Sequence, residues 1–222
     1  MISNQKTYYK IVSDIFSRGA EINTADRIDY NMVARISELN KLFNLIDKCS
    51  EYHNVSIREI LQSLKLFDPS VITGTQLFLD LKEIKEEKII QEFNIINEFR
   101  YFTYFILEKV RLELLKNNEV EELPNRFESS YFFGSLADCK RYLIGLNLNY
   151  SLNKLKVIEV KFEYEDVLFK FDNNHLSNFE DSFHSKDFKD SIARYLRAEQ
   201  TQNPLFEYVF QGRYRIVNTY MT

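Results

Sequence analysis

Residues 77–117 contain neither glycine nor proline, and their apolar side chains fall at helical spacing. Ile84, Ile89, Phe93, Ile96, Phe99, Ile106, Val110 and Leu114 approximate one face. One unbroken helix of that length would run about 60 Å, wider than a compact domain. The stretch therefore predicts helix with a break near Arg100. Met32, Val33, Ile36, Leu39, Phe43 and Ile46 form a second stripe and predict a helix over 28–46. Ser56 followed by Glu59 is a capping box that opens a shorter helix through Leu66, ended by Asp68-Pro69. The middle of the chain, about 28–117, thus reads as helical.

The flanks read differently. Residues 7–12, Thr-Tyr-Tyr-Lys-Ile-Val, are β-branched and aromatic and predict a short strand, with Gly19 as a turn point after it. Phe127 to Phe133 alternates and reads as a strand, and Ala137 to Leu146 as a helix. Over 156–164, Ile158, Val160, Phe162 and Tyr164 share one face while Glu159, Lys161 and Glu163 take the other, which predicts a half-buried strand. Val167 to Phe171 reads as a further strand, Phe179 to Arg197 as a helix, and 205–210 with 213–218 as a hairpin turning near Gln211-Gly212. The expectation is one α+β domain over residues 1–222, with a helical insertion of about 28–117 after the first strand.

Composition narrows the function classes. With 45% apolar residues the chain can build a core, which excludes collagenous and disordered classes. Five glycines and three prolines argue against a loop-rich sandwich, and neither Walker A nor GxGxxG is present, so a dinucleotide would not be held in the Rossmann manner. Nineteen Phe and fourteen Tyr with no Trp predict a core built on phenyl rings. A formal charge of -4 gives no global pull toward nucleic acid or anionic membrane. The basic cluster Lys186, Lys189, Arg194 and Arg197 is diluted by Asp187, Asp190 and Glu199, and a solvated helix face is its plainer reading.

Cys49 and Cys139 form no CxxC pair, which speaks against a disulfide scaffold or a cysteine zinc site and for reduced thiols. His53, His175 and His184 show no zinc-ligand spacing, so no metal is expected. The first nine residues are polar with no apolar h-region, and no run reaches about 18 apolar residues. The expectation is a cytoplasmic protein with no signal peptide and no membrane partner.

Four residues carry candidate chemistry. Glu207 is the only charge in Leu205-Phe206-Glu207-Tyr208-Val209-Phe210, a segment apolar on both faces. A buried carboxylate costs several kcal/mol unless it is paired or functional. Pairing with Arg126, Arg213 or Arg215 explains it as well as catalysis does. Arg126, entering the strand after Pro124-Asn125, can clamp a phosphate or carboxylate, although a surface salt bridge is the simpler role. Tyr131, on the face of Phe127, Ser129 and Phe133, is more often core than a stacking platform, and Lys10 more often a solvated edge lysine.

In this order the segments resemble the ADP-ribosyltransferase fold, and more narrowly small bacterial domains such as the rifampin ADP-ribosyltransferases and uncharacterised relatives. The matching pieces are Tyr8-Tyr9-Lys10-Ile11-Val12 with Arg18-Gly19, then Pro124-Asn125-Arg126-Phe127 through Phe133 with Ser135-Leu136-Ala137, then Val157-Ile158-Glu159-Val160, and last Glu207 ahead of Gly212. They cover about residues 7–22 and 120–218 and leave the helical region unaccounted for.

The resemblance implies NAD in a cleft between two small split β-sheets, with the nicotinamide–ribose bond breaking toward an oxocarbenium-like state. It gives Glu207 the role of the catalytic acid, holding a ribose hydroxyl and stabilising the developing cation. Arg126 would anchor phosphates or ribose, Tyr131 would stack near nicotinamide, and Ser129 or Ser130 would support the pocket wall. The family's opening-strand histidine falls on Lys10, a departure that leaves open a different NAD contact or lost activity. The implied activity is transfer to a macromolecule, RNA, DNA or protein, in a toxin or phage-defence effector. The alternative is a non-catalytic interaction protein on a degenerate transferase fold, docking an antitoxin or chaperone through helices 28–117.

Overall fold

In the computed structural model, residues 6–13, 17–27, 36–66, 75–87, 99–145, 155–177 and 185–221 are described. The strands are β1 (Thr7–Val12), β2 (Glu21–Asn23), β3 (Ser130–Phe133), β4 (Lys156–Asp172) and β5 (Phe206–Met221). The helices are α1 (Ile36–His53), α2 (Ile57–Leu66), α3 (Gln76–Glu86), α4 (Phe99–Lys116), α5 (Leu136–Gly145) and α6 (Ser185–Leu196), with a single helical turn at Asn174–Ser177. Mixed helix and antiparallel sheet is the α+β class. The expected helix onset at 28–35, the Asp68-Pro69 stop, Ile89, Phe93, Ile96 and residues 179–184 lie outside the described residues.

The chain divides into two compact units: Met1–Asp29 with Glu121–Ser177 and Tyr195–Thr222, and Tyr30–Val120 with Asn178–Arg194. The first holds the sheet. β4 and β5 pair antiparallel from Lys156↔Met221 to Asp172↔Phe206. The other edge of β5 takes β3, from Ser130↔Phe210 to Phe133↔Glu207, and then β2. The other edge of β4 takes β1, and β1 meets β3 at Tyr9↔Phe133. Pairing therefore returns to its start, β5–β3–β1–β4–β5. The expected two split sheets are, among the described residues, one five-stranded sheet.

Four local expectations are corrected. The hairpin at Gln211-Gly212 does not form: β5 runs straight through as one 16-residue strand. Gly212, at φ 139°, serves instead as an irregularity opposite Glu165, where the register slips between Phe162 and Tyr164 and between Glu165 and Val167. Those slips also join the expected strands 156–164 and 167–171 into the single β4, and they leave Tyr164 exposed rather than inward. The strand expected from Phe127 begins only at Ser130. Arg126–Glu128 is a 3-10 turn, because the Asn125 side chain accepts from the Phe127 amide and Ser129 Oγ donates to the Asn125 carbonyl.

Phenyl rings do build the interior of this unit. Tyr8 stacks on Phe162 at 4.1 Å and Phe162 on Phe210 at 3.9 Å, while Phe132 meets Phe162, Phe210 and Tyr214 edge-on. Ile22, Ile158, Val160 and Ile216 fill the gaps between them. On the other face, Phe133, Val157 and Leu205 pack with Cys139 of α5.

Where β4 ends, buried Asp172 ties down the chain entering β5. Its carboxylate accepts from the Thr201 amide and hydroxyl and from the amides of Leu205 and Asn174. Burial alone would raise its pKa, but these four donors outweigh it and leave the carboxyl below its ordinary value. Folded stability from Asp172 is therefore full above the ordinary carboxylate pKa and is lost as pH falls through the lowered one. Asp172→Ala is expected to cost about 3 kcal/mol in urea denaturation at neutral pH. The gap between parent and variant should narrow in acid; a constant gap would mean that the charge is not what holds the loop.

The second unit is helical. Leu42, Phe43, Ile46 and Cys49 of α1, Ile57, Ile60, Leu61 and Leu64 of α2, Leu81 and Ile84 of α3, and Ile106, Leu107, Val110 and Leu114 of α4 are buried. The capping box forms reciprocally: the Glu59 carboxylate accepts from the Ser56 amide and the Ser56 hydroxyl accepts from the Glu59 amide. α3 ends at Glu86, with Glu87 extended at ψ 117°, and α4 is described from Phe99; the residues between, next to the break expected near Arg100, lie outside the described residues. Arg100 lies at the start of α4. Lys189 is bonded to Asp47 and lies 3.8 Å from Glu51, so one member of the basic cluster is already neutralised. Among the described residues no helix is long and apolar enough to cross a membrane.

Candidate functional site

Three carboxylates are buried among the described residues: Glu108, Asp172 and Glu207. Two have donors that account for their burial. Arg111, one turn along α4, holds Glu108 through both oxygens at 2.8 and 2.6 Å, and Asp172 is held by Thr201 and by the amides of Leu205 and Asn174. Glu207 is different, because it meets a phenol and a guanidinium, the Tyr195 and Arg126 side chains.

Arg126, four residues before β3, and Glu207, the second residue of β5, form the site. Glu207 pairs in register with Phe133 of β3 and Phe171 of β4, so its backbone is held between two strands. Its Oε2 accepts a 2.6 Å hydrogen bond from the Tyr195 hydroxyl at the end of α6. Arg126 Nη1 donates to the same hydroxyl at 3.1 Å and stands 3.5 Å from Glu207 Oε2. The Arg126 and Glu207 side chains are 13% and 5% exposed, so this pair is shielded from bulk water. The guanidinium lies 4.1 Å over the Tyr131 ring, whose hydroxyl donates to the Arg126 carbonyl at 2.6 Å. The 3-10 turn is thereby clamped at both ends, and Arg126 is aimed by its own backbone.

Tyr195 is the central donor. Burial first, then the negative charge of Glu207, pushes its phenol well above the ordinary value, with Arg126 opposing. It stays protonated and gives its hydrogen to the carboxylate. Arg213 and Arg215, the other candidate partners of Glu207, go elsewhere: Arg215 pairs with Glu163 at 3.0 Å, and Arg213 lies over Tyr164.

The structure brings Glu207, Arg126 and Tyr131 together, but not Lys10. Lys10 shares a face with Tyr8 of the aromatic interior, donates to Ser130 Oγ at 3.0 Å and lies over the Phe132 and Tyr214 rings. Glu207 alternates with Leu205 on the opposite face. Ser129 stands near the group, accepting from Gln211 Nε2 at 3.1 Å while donating to Asn125. Tyr195 was not singled out by the sequence as a site residue; among the charges of 186–197 it reads as an aromatic of the helix face, and only long-range packing reveals its hydroxyl.

Chemically, the group is a fixed carboxylate, a guanidinium with an aromatic plane beneath it, and a neutral phenol holding both. It can stabilise positive charge at the acid and bind an anion at the arginine. No family model matches the chain, and no curated protein matches it.

Proposed function

We propose that the chain is an NAD-dependent ADP-ribosyltransferase that modifies a macromolecule, with Glu207 as its catalytic carboxylate. The observation that supports this reading is the meeting of Glu207 with Arg126 at 3.5 Å, from segments distant in sequence. An acid beside a guanidinium suits a nucleotide that carries both ribose hydroxyls and an anionic pyrophosphate. Arg126 would hold the phosphates or ribose, Tyr131 would lie near nicotinamide, and Ser129 would line the wall. Lys10, on the other face, is left out of the site. NAD supplies a glycosidic bond whose cleavage leaves a cationic ribose. Glu207, oriented by Tyr195, would accept a ribose hydroxyl and stabilise that charge. The same reading makes the chain a cytoplasmic toxin or phage-defence effector acting on RNA, DNA or protein.

A second reading has its own observation. Glu207 is almost fully covered, and its Oε2 is already engaged by Tyr195 and Arg126. That favours a structural role on a fold that docks an antitoxin or chaperone. Incubation with NAD and lysate separates the two. The parent is expected to release nicotinamide and label a macromolecule, and Glu207→Gln to lower labelling by about 10²–10³-fold while melting as a folded protein. Unchanged labelling in Glu207→Gln would remove the acid from catalysis. No label on RNA, DNA or protein would leave the interaction reading.

A further inference from the structure

Within the helical unit, Cys49 and His53 lie one turn apart on α1, and Asp80 reaches them from α3. His53 Nε2 is 2.7 Å from Asp80 Oδ2, and one donor atom from each of the three residues lies within 4.8 Å of the others. The second Asp80 oxygen accepts from Gln76 Nε2 at 2.8 Å, which fixes the plane of the carboxylate. The Tyr52 ring stands edge-on to the imidazole, with centroids 4.9 Å apart. Cys49 is buried, while the His53 and Asp80 side chains are 14% and 27% exposed. An open depression of about 790 Å³ lies against the group, lined among others by Cys49, Asp80, Tyr52 and Gln76.

A thiol, an imidazole and a carboxylate facing one point can serve a nucleophile or a cation. Cys49 is buried, which suits a coordinated thiolate better than a nucleophile that must meet a substrate. A bound cation would take the thiolate and neutralise the carboxylate at once. We propose that Cys49, His53 and Asp80 ligate a borderline-soft divalent cation, zinc by donor chemistry. Sulfur and nitrogen donors disfavour calcium and magnesium. Zinc bonds of about 2.0–2.3 Å place tetrahedral donors roughly 3.5 Å apart, within a small side-chain turn of the arrangement seen here. Three protein ligands leave the fourth position to water or a substrate atom, on the side of the depression. Gln76 is a positioning residue for Asp80.

The site stands in a different unit from Glu207 and is independent of the transferase reading. The test is titration of the chelator-treated full chain with Co²⁺ and then Zn²⁺. One Co²⁺ per chain is expected, with a thiolate charge-transfer band and the visible bands of tetrahedral cobalt, both displaced by Zn²⁺. Cys49→Ser should abolish the charge-transfer band, and Cys139→Ala should keep it. His53→Gln and Asp80→Asn should each weaken binding by about 100-fold, and Gln76→Ala by about tenfold. Gln76 is exposed, so its variant remains informative if a ligand variant fails to fold. A parent chain with no charge-transfer band, a band that survives Cys49→Ser, or affinity indifferent to His53→Gln and Gln76→Ala would overturn the site.

Discussion

Gly212→Ala is expected to be the most damaging single-methyl change in the sheet. A Cβ at Gly212 would lie 2.2 Å from the Tyr164 carbonyl oxygen and 3.0 Å from the Phe210 ring. The first obstacle is backbone, so it cannot swing aside as a side-chain tip can. The residue also sits at φ 139°, where an L side chain is strained. Backbone strain of about 1–3 kcal/mol and overpacking of about 1–3 kcal/mol give a combined loss of about 2–6 kcal/mol. That is a large share of the roughly 5–15 kcal/mol by which a domain is stable. The Gly212 amide also donates to Thr24 Oγ1 at 3.0 Å, and a shifted backbone would lose that bond. Gly19→Ala is the comparison: at φ 85° it carries strain, but nothing lies within 4 Å of its Cβ. Its cost should stay near 1–2 kcal/mol. Urea midpoints of the two variants check the argument, and equal midpoints would place Gly212 outside the close approach to Tyr164.

That glycine also shows where sequence reasoning stops. A flexible residue after a strand-like run signals a turn, and the sequence reads 205–218 as a hairpin. The same freedom serves a bulge inside one long strand equally well, and only the partner decides between them. The partner is β4, whose own register slips at three places. Glu165 and Asp166 look like a loop between two strands, because alternation counted along one chain cannot see compensating slips across a pair. Local signals were legible. The β-branched run of Thr7–Val12 gave β1, and the Ser56–Glu59 capping box gave the start of α2 within one residue. The end of α3 at Glu86 had no glycine or proline to announce it.

The site divides in the same way. Glu207 was legible because a single charge among apolar neighbours must find a partner wherever the strand lies. The choice of Arg126 over Arg213 and Arg215 was not legible, since it depends on which edge of β5 receives β3. Nor was the face of Lys10. Strand alternation places it with Tyr8, but which side of the sheet Glu207 takes relative to β1 follows from the closed pairing of four strands. Cys49 and His53 lie four residues apart on α1, but the sequence took thiol and histidine separately and pointed to no metal, since Asp80 of α3 could not be placed beside them.

Removing the guanidinium is expected to cost the most of any change at the Glu207 site. Arg126→Ala leaves a carboxylate in a nearly dry position with Tyr195 as its donor, and an uncompensated buried charge costs about 3–5 kcal/mol. Glu207→Gln in the same background removes that charge, so the double variant should be more stable than Arg126→Ala alone. The resulting coupling is expected at about 2–3 kcal/mol by denaturation of the four proteins. Arg126→Lys divides the effect further. Lysine restores the charge but lacks the plane that lies on Tyr131, so it should recover only part of the loss. Additive single losses would mean that Arg126 and Glu207 do not sense each other, and a guanidinium that does not sense the acid could not share a substrate with it. A strong coupling in a chain that also labels an acceptor would instead join stability and chemistry in one trio, with Tyr195 holding the acid in place and Arg126 neutralising it until a substrate takes over that role.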